Sequence, residues 1–270
     1  MRRFSDCGEH HLVMTSSLLE AGCAKTEYLL AFAEDMRDFD LDFVDAHAPW
    51  GGWSDPAMPL DEWKEVLLMR HRMCFRFCRY FGIRTVTFHT GNPRSDIYKR
   101  KFTFEDYCRS MIRTLEQLLP EAEKCGIIIA LENQWTPLNR IETLLQTIEH
   151  FRSPNLGLCF DSGHANVIEK GMDFPNQAGA PKYWSDVDMP VQWETKVVER
   201  MAPHVVNCHL HDNNCGDEHL LPGLGSVDWQ RVKTALRGAP RLLCLQNECK
   251  AKYYTIEEIC RTFQELLRDF

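Results

Sequence analysis

Short runs rich in β-branched and aromatic residues alternate with long amphipathic helical patterns along this chain, and no other feature restricts the fold as tightly. The runs are 11–15, 42–47, 85–89, 127–132, 155–161, 205–209 and 242–248, and the helical stretches are 26–37, 60–81, 103–125, 139–150, 193–201, 227–237 and 255–268. Several helices begin at a capping residue such as Thr103, Asn139 or Thr255, whose side-chain oxygen can satisfy a first-turn amide. Strand and helix in strict alternation mean βαβ units and a parallel sheet. There is no GxGxxG after the first run and no GxxxxGK[ST] anywhere, so folds that cradle a dinucleotide or nucleotide phosphate lose their main support. The expected fold is α/β, a (β/α)8 TIM barrel, and 270 residues suit one such domain spanning 1–270.

Six of the seven runs end in a side chain able to bind a cation: His47, His89, Glu132, Asp161, His209 and Glu248. Side chains alternate along a strand, so counting back by two gives an inward set of Asp45 and Phe43, Thr87 and Thr85, Ala130 and Ile128, Cys159 and Gly157, Asn207 and Val205, and Gln246 and Cys244. That set is small or polar near the strand ends, as a barrel mouth requires. Active sites of such barrels form at the C-terminal strand ends. Glu132, Asp161, His164, His209 and Glu248 gather there, a mixed carboxylate and imidazole set that accepts Mn²⁺, Mg²⁺, Co²⁺ or Zn²⁺ without choosing among them.

Charge narrows the partners. With 31 Lys and Arg against 39 Asp and Glu, the formal charge is −8, which opposes generic adhesion to nucleic acid or anionic lipid. The basic cluster Arg94, Lys99, Arg100 and Lys101 reads as a solvated face. No apolar stretch reaches the roughly 18 residues of a membrane span, and Met1–Cys7 lacks the apolar run of a signal peptide. A cytoplasmic protein with no membrane partner is expected. Twelve cysteines scatter without a CxxC pair, the pattern of reduced and mostly buried thiols.

Taken in order, His47-Ala48-Pro49, His89-Thr90-Gly91, Leu131-Glu132-Asn133, Asp161-Ser162-Gly163-His164, His209-Leu210-His211-Asp212, His219-Leu220-Leu221-Pro222-Gly223-Leu224-Gly225 and Glu248 resemble the xylose isomerase-like barrel superfamily. That superfamily groups sugar and sugar-phosphate isomerases and epimerases with endonuclease IV-type DNA repair enzymes, the AP endonuclease family 2. The resemblance spans about residues 40–250. It implies one divalent ion (Mn, Mg, Co or Zn) held by Glu132, Asp161, His209 and Glu248, with His164 close by. It also implies an isomerase or epimerase of carbohydrate metabolism acting through an enediolate, with Glu132 and Glu248 as the acid/base pair. The chemistry is sound, because a C–H beside a carbonyl becomes acidic enough only when the developing oxyanion is neutralised.

The nuclease branch holds three zinc ions, and His47, His89 and the Asp217-Glu218-His219 run supply candidates for that larger set. With His164 and His211 they form a reserve of further metal or substrate contacts. An endonuclease IV-like AP endonuclease is therefore the alternative, although the charge weighs against nucleic acid, and a non-catalytic sugar-binding barrel is a third. The resemblance argues against free ketohexose specificity, since the substrate-touching arginine that the superfamily's ketohexose epimerases carry six residues after the histidine ligand is replaced by Cys215. Trp50 and Trp53 could wall a sugar ring. The long connection 165–192, with Tyr183 and Trp184, reads as a lid or a dimer contact. The resemblance also calls for two βα units before His47, yet 46 residues precede it. Either Arg2–Asp6 is an abbreviated first strand, or the first unit is missing and a partner such as a second copy covers the edge.

Overall fold

Every β-rich run becomes a strand in the computed structural model, which describes residues 1–94, 101–174, 176 and 178–268. The strands are β1 His11–Met14, β2 Asp42–His47, β3 Thr85–Phe88, β4 Ile128–Glu132, β5 Leu156–Asp161, β6 Val205–Leu210 and β7 Cys244–Asn247. All neighbours pair in parallel, and spatial order follows chain order from β1 to β7. This is the wall of a nearly closed TIM barrel. Among the described residues no eighth strand joins β7 to β1.

The helices are α1 Arg2–Asp6, α2 Ser16–Ala24, α3 Thr26–Arg37, α4 Lys64–Tyr80, α5 Phe104–Cys125, α6 Ile141–Phe151, α7 Ser162–Lys170, α8 Ala180–Ser185, α9 Val197–Met201, α10 Trp229–Arg237 and α11 Ile256–Leu267. The segment 2–6, one of whose readings is a short strand, is thus a helix. It lies against α11, where Arg3 Nε donates to Glu257 Oε1 at 2.8 Å and Gln264 Nε2 donates to Cys7 O and Glu9 Oε1 at 3.0 and 2.8 Å. The contact to Cys7 O satisfies a carbonyl at the end of α1.

Local signals set most helix starts. Thr103 and Thr255 head capping boxes closed by Asp106 and Glu258. Asn139 does not cap. Its side chain instead ties the β3 end through Thr90 N and Gly91 O, both 2.9 Å away. The amides of Ile141 and Glu142 are met by the Glu194 carboxylate at 3.0 and 3.3 Å, so a residue distant in sequence takes over the local cap.

Two bulges correct the inward set. Pairing steps from Leu12–Phe43 to Val13–Asp45, leaving Val44 unpaired. Phe43 therefore turns outward and packs on Phe32 and Phe81 at 6.2 and 5.6 Å between ring centroids. In β6 pairing steps from Leu158–Val205 to Cys159–Asn207. Val206 thus joins Ala130, Cys159 and Ile128 inside the barrel, while Val205 joins the outer core. An extra residue reverses the side-chain alternation behind it, which period-two counting cannot foresee.

The connection 165–192 is also shorter than its sequence suggests, because α7 continues to Lys170 and α8 follows. Trp184 is fully buried, and its Nε1 donates to Trp135 O at 2.9 Å, so this aromatic fills the protein's own core. Pro175, Lys99 and Arg100 lie outside the described residues. Lys101 pairs with Asp188 at 2.7 Å. No helix among the described residues is long and apolar enough to cross a membrane. All twelve cysteines are free; six are buried and Cys23 is exposed.

Edge strands expose one row of backbone groups. Amides on the outer edges of β1 and β7 are therefore expected to exchange with deuterium faster than those of β4, β5 and β6. Equal protection across all seven strands would show that the edges are sealed.

Candidate metal centre

The strand ends converge at the C-terminal mouth. His47, Glu132 and Asp161 close β2, β4 and β5, His209 is the penultimate residue of β6, and His89 and Glu248 directly follow β3 and β7. Their donor atoms, with those of the loops behind, gather into groups in which every atom lies within 4.8 Å of the others. The first group is Glu132, Asp161, His209 and Glu248; the second is His164, His211, Asp217 and His219; the third is His47, His89 and Glu132. A further overlap brings Cys159 beside Glu132 and His209. Every sequence-derived ligand candidate falls into one of these groups.

In the first group His209 Nδ1 stands 3.4 Å from both Glu132 Oε1 and Glu248 Oε2. Yet His209 Nδ1 and Glu132 Oε2 are buried and make no hydrogen bond. His89 Nε2 approaches Glu132 Oε2 to 2.9 Å without hydrogen-bond alignment. Donors that crowd together but do not point at each other are the arrangement a cation needs, since bonds of about 2.1 Å in a tetrahedral site separate neighbouring ligand atoms by about 3.4 Å. Left to themselves, such buried polar atoms are costly.

Tautomers agree with this. His47 Nδ1 lies 2.9 Å from Ala48 O, His164 Nδ1 3.0 Å from Asn133 O, and His219 Nδ1 2.7 Å from Glu248 O. A carbonyl accepts only, so each Nδ1 carries a proton and Nε2 is the nitrogen left to offer a lone pair to an ion. The Nε2 atoms lie 3.2 Å from His89 Nε2 for His47, and 3.7 and 3.0 Å from Asp217 Oδ1 for His164 and His219. His209 is turned the other way: its Nε2 meets Thr87 Oγ1 at 3.3 Å, leaving Nδ1 for the group. Beneath it Asn207 Nδ2 donates to Thr87 Oγ1 and Asp45 Oδ2 at 2.8 and 2.9 Å, and Thr85 Oγ1 donates to Asp45 Oδ1 at 2.6 Å. The barrel interior thus holds the His209 ring in place.

Supporting residues come from sequence neighbours and loops. Asn133 clamps β5 reciprocally, accepting from Asp161 N at 2.7 Å and donating to Asp161 O at 3.0 Å. Trp135 meets the edge of His164 at 5.0 Å. Neither role is visible in sequence, where Asn133 and Trp135 are simply residues after a glutamate. Asp217 and His219 ride on the loop after β6, which the Asp212 carboxylate secures by accepting from Gly223 N, Val227 N and Trp229 Nε1 at 2.9, 3.0 and 2.9 Å. Gly225 is needed there, because a Cβ would lie 2.3 Å from Asp212 Oδ1. Trp50 is 55% exposed with its ring 5.3 Å from His89, at the rim of the third group. Trp53 packs on Trp63 instead, with centroids 4.2 Å apart and planes tilted by 38°. Cys215 is buried, which raises its thiol pKa and disfavours a thiolate.

Charge is balanced by mutual pairing. Burial opposes the imidazolium of His164, but Asp161, Asp217 and Glu132 outweigh it and hold the group well above the ordinary histidine value. His219 is raised in the same way, against burial, by Asp217, Glu248 and Asp161. Glu132 is held well below the carboxylate range, burial being overcome by His89 and His209. Without a cation the protonated forms of His164 and His219 are favoured, and a divalent ion bound there would displace those protons. Zinc added to chelator-treated, weakly buffered protein at about pH 7 is expected to release protons, and its apparent affinity to fall as pH drops from about 8 to about 6. Uptake without proton release would contradict these assignments.

The sequence profile of the family described as xylose isomerase-like TIM barrel matches residues 20–249. The uncharacterized protein MJ1311 of Methanocaldococcus jannaschii is 24% identical over 273 residues, an alignment spanning 93% of this chain and 81% of that protein. A solved D-tagatose 3-epimerase-like protein superposes with a TM-score of 0.69 at 19% identity, covering 100% of this chain and 93% of the other. The IolI protein, solved with a zinc atom, gives 0.72 at 17% identity, covering 98% and 89%. Similarity at this level of identity shows the shared fold.

Proposed function

The chain belongs to the xylose isomerase-like TIM barrel family, and from that premise we propose that it is a divalent-metal-dependent isomerase or epimerase of a small carbohydrate, working as one domain. The observation that carries this reading is the pair Glu132 and Glu248, whose carboxylates flank His209 Nδ1 at 3.4 Å each. Glu132, Asp161, His209 and Glu248 would hold the ion. When bound, a cation there supplies the positive charge that makes a C–H beside a carbonyl acidic.

The protein groups do the rest. One glutamate removes the proton from the carbon beside the carbonyl and the other delivers a proton to the neighbouring carbon or the opposite face, a contribution of about 10²–10⁴-fold. Glu248 is the more exposed of the two, with 26% of its side chain accessible against 1% for Glu132, so it meets substrate from the open side. Trp50 at the rim offers a flat apolar face to a sugar ring. The resemblance to solved sugar epimerases supports this substrate class.

A second reading is favoured by one specific observation. The three donor groups, with Glu132 shared by two of them, could hold three ions rather than one, the set suited to phosphoester cleavage. The charge of −8 counts against a nucleic acid substrate. The deciding experiment is a panel of aldoses, ketoses and their phosphates incubated in D₂O with metal-loaded enzyme. Deuterium incorporation beside the carbonyl of at least one sugar is the expected result. Cleavage of abasic DNA with no exchange in any sugar would replace the first reading by the second.

A further inference from the structure

His211 takes no part in the chemistry above, yet it is among the most tightly held side chains of the mouth. It follows β6 directly and is fully buried. Ser162, at the start of α7, grips its backbone from both sides: Ser162 Oγ donates to His211 O at 2.7 Å and accepts from His211 N at 3.0 Å. The ring lies against Gly163, where a Cβ would stand 2.0 Å from its Cε1. Its Nε2 is 3.2 Å from both oxygens of Asp161, a member of the first group. Its face stacks on His219, a member of the second, with centroids 3.9 Å apart and planes within 10°.

Both ring nitrogens face away from the second group. Nε2 faces the Asp161 carboxylate at 3.2 Å, whereas Nδ1 lies 3.4 Å from Asp212 O, beyond a normal hydrogen bond, so the ring N–H belongs on Nε2. His164 Nε2 and His219 Nε2, by contrast, both face Asp217. Membership of a donor cluster by distance alone therefore does not make His211 a ligand.

We infer that His211 is a positioning residue that couples the two groups, orienting the Asp161 carboxylate through Nε2–H and the plane of His219 through its face. The inference rests on the metal reading of the proposed function. The Asp161 contact is of the kind that tunes a ligand without touching the ion, and losing one typically costs about 10–100-fold in metal affinity.

The two contacts can be separated by substitution in the full chain. His211→Phe keeps a flat ring against His219 but removes the donor to Asp161, whereas His211→Gln keeps an N–H near Asp161 but removes the ring. Cobalt(II) titrated into chelator-treated protein reads each group by its d–d absorption. His211→Phe is expected to weaken cobalt binding about 10–100-fold with altered bands. His211→Gln is expected to restore tight binding at the first group while weakening the second. Wild-type affinity and bands in the Phe variant would overturn the inference. So would spectra in which both variants lose one nitrogen donor from cobalt, because His211 would then be a ligand. If His211→Phe fails to fold, as judged by circular dichroism, Gly163→Ala displaces the same ring from the other side and must weaken cobalt binding too; unchanged binding in folded Gly163→Ala overturns the coupling. Failure of the wild type to take up cobalt would instead sink the metal reading itself.

Discussion

Glu132→Gln is expected to lower turnover about 10³-fold or more on whichever sugar the wild type converts, within the range that a positioned acid/base group supplies. Its effect should exceed that of any other single substitution at the mouth, because Glu132 serves two donor groups at once. The carboxylate is buried and stands among His47, His89, His164 and His209 at 3.7, 2.9, 3.1 and 3.4 Å. An amide in its place keeps the shape but removes the charge and one acceptor. Bound metal should fall along with turnover. Full turnover in Glu132→Gln would refute the acid/base assignment, and unchanged metal content would refute the ligand assignment.

Removal of metal should be the largest single lever on stability. Four carboxylates, Glu132, Asp161, Asp217 and Glu248, crowd one mouth with the histidines of the three groups around them, and on the proposed reading a bound cation would compensate them. With free metal at about 1,000 times Kd, binding stabilises the folded state by about 4 kcal/mol, which for a chain of this size moves Tm by roughly 10 °C. Chelator-treated protein is expected to melt lower by about that amount, and added Zn²⁺ or Mn²⁺ to restore it. An unchanged Tm after metal has demonstrably been stripped would contradict the arrangement. Metal analysis of protein purified without chelator also separates the two functional readings, at about one or about three ions per chain.

Much of the fold and of the candidate site is legible in the order of residues. Runs of β-branched residues that stop at a polar one place the strand ends at His47, Glu132 and Asp161. The capping boxes at Thr103 and Thr255 need only residues three apart. Local patterns mislead where distant residues decide. Arg2–Asp6 is helical beside α11, Glu194 takes the capping role expected of Asn139, and bulges at Val44 and Val206 turn Phe43 and Val205 out of the barrel.

The chain order of hydrophobic runs and polar stops determined by itself that this protein is a parallel barrel with acids and imidazoles at one rim, because those signals are short-range and periodic. Tertiary structure alone decided how the donors divide into three groups, which nitrogen of each histidine faces its group, and that His211 touches members of two groups. Those outcomes depend on hydrogen bonds and stacking between residues tens to more than a hundred positions apart, such as Thr87 with His209 and Ser162 with His211. Packing sets such contacts, and no local pattern records them.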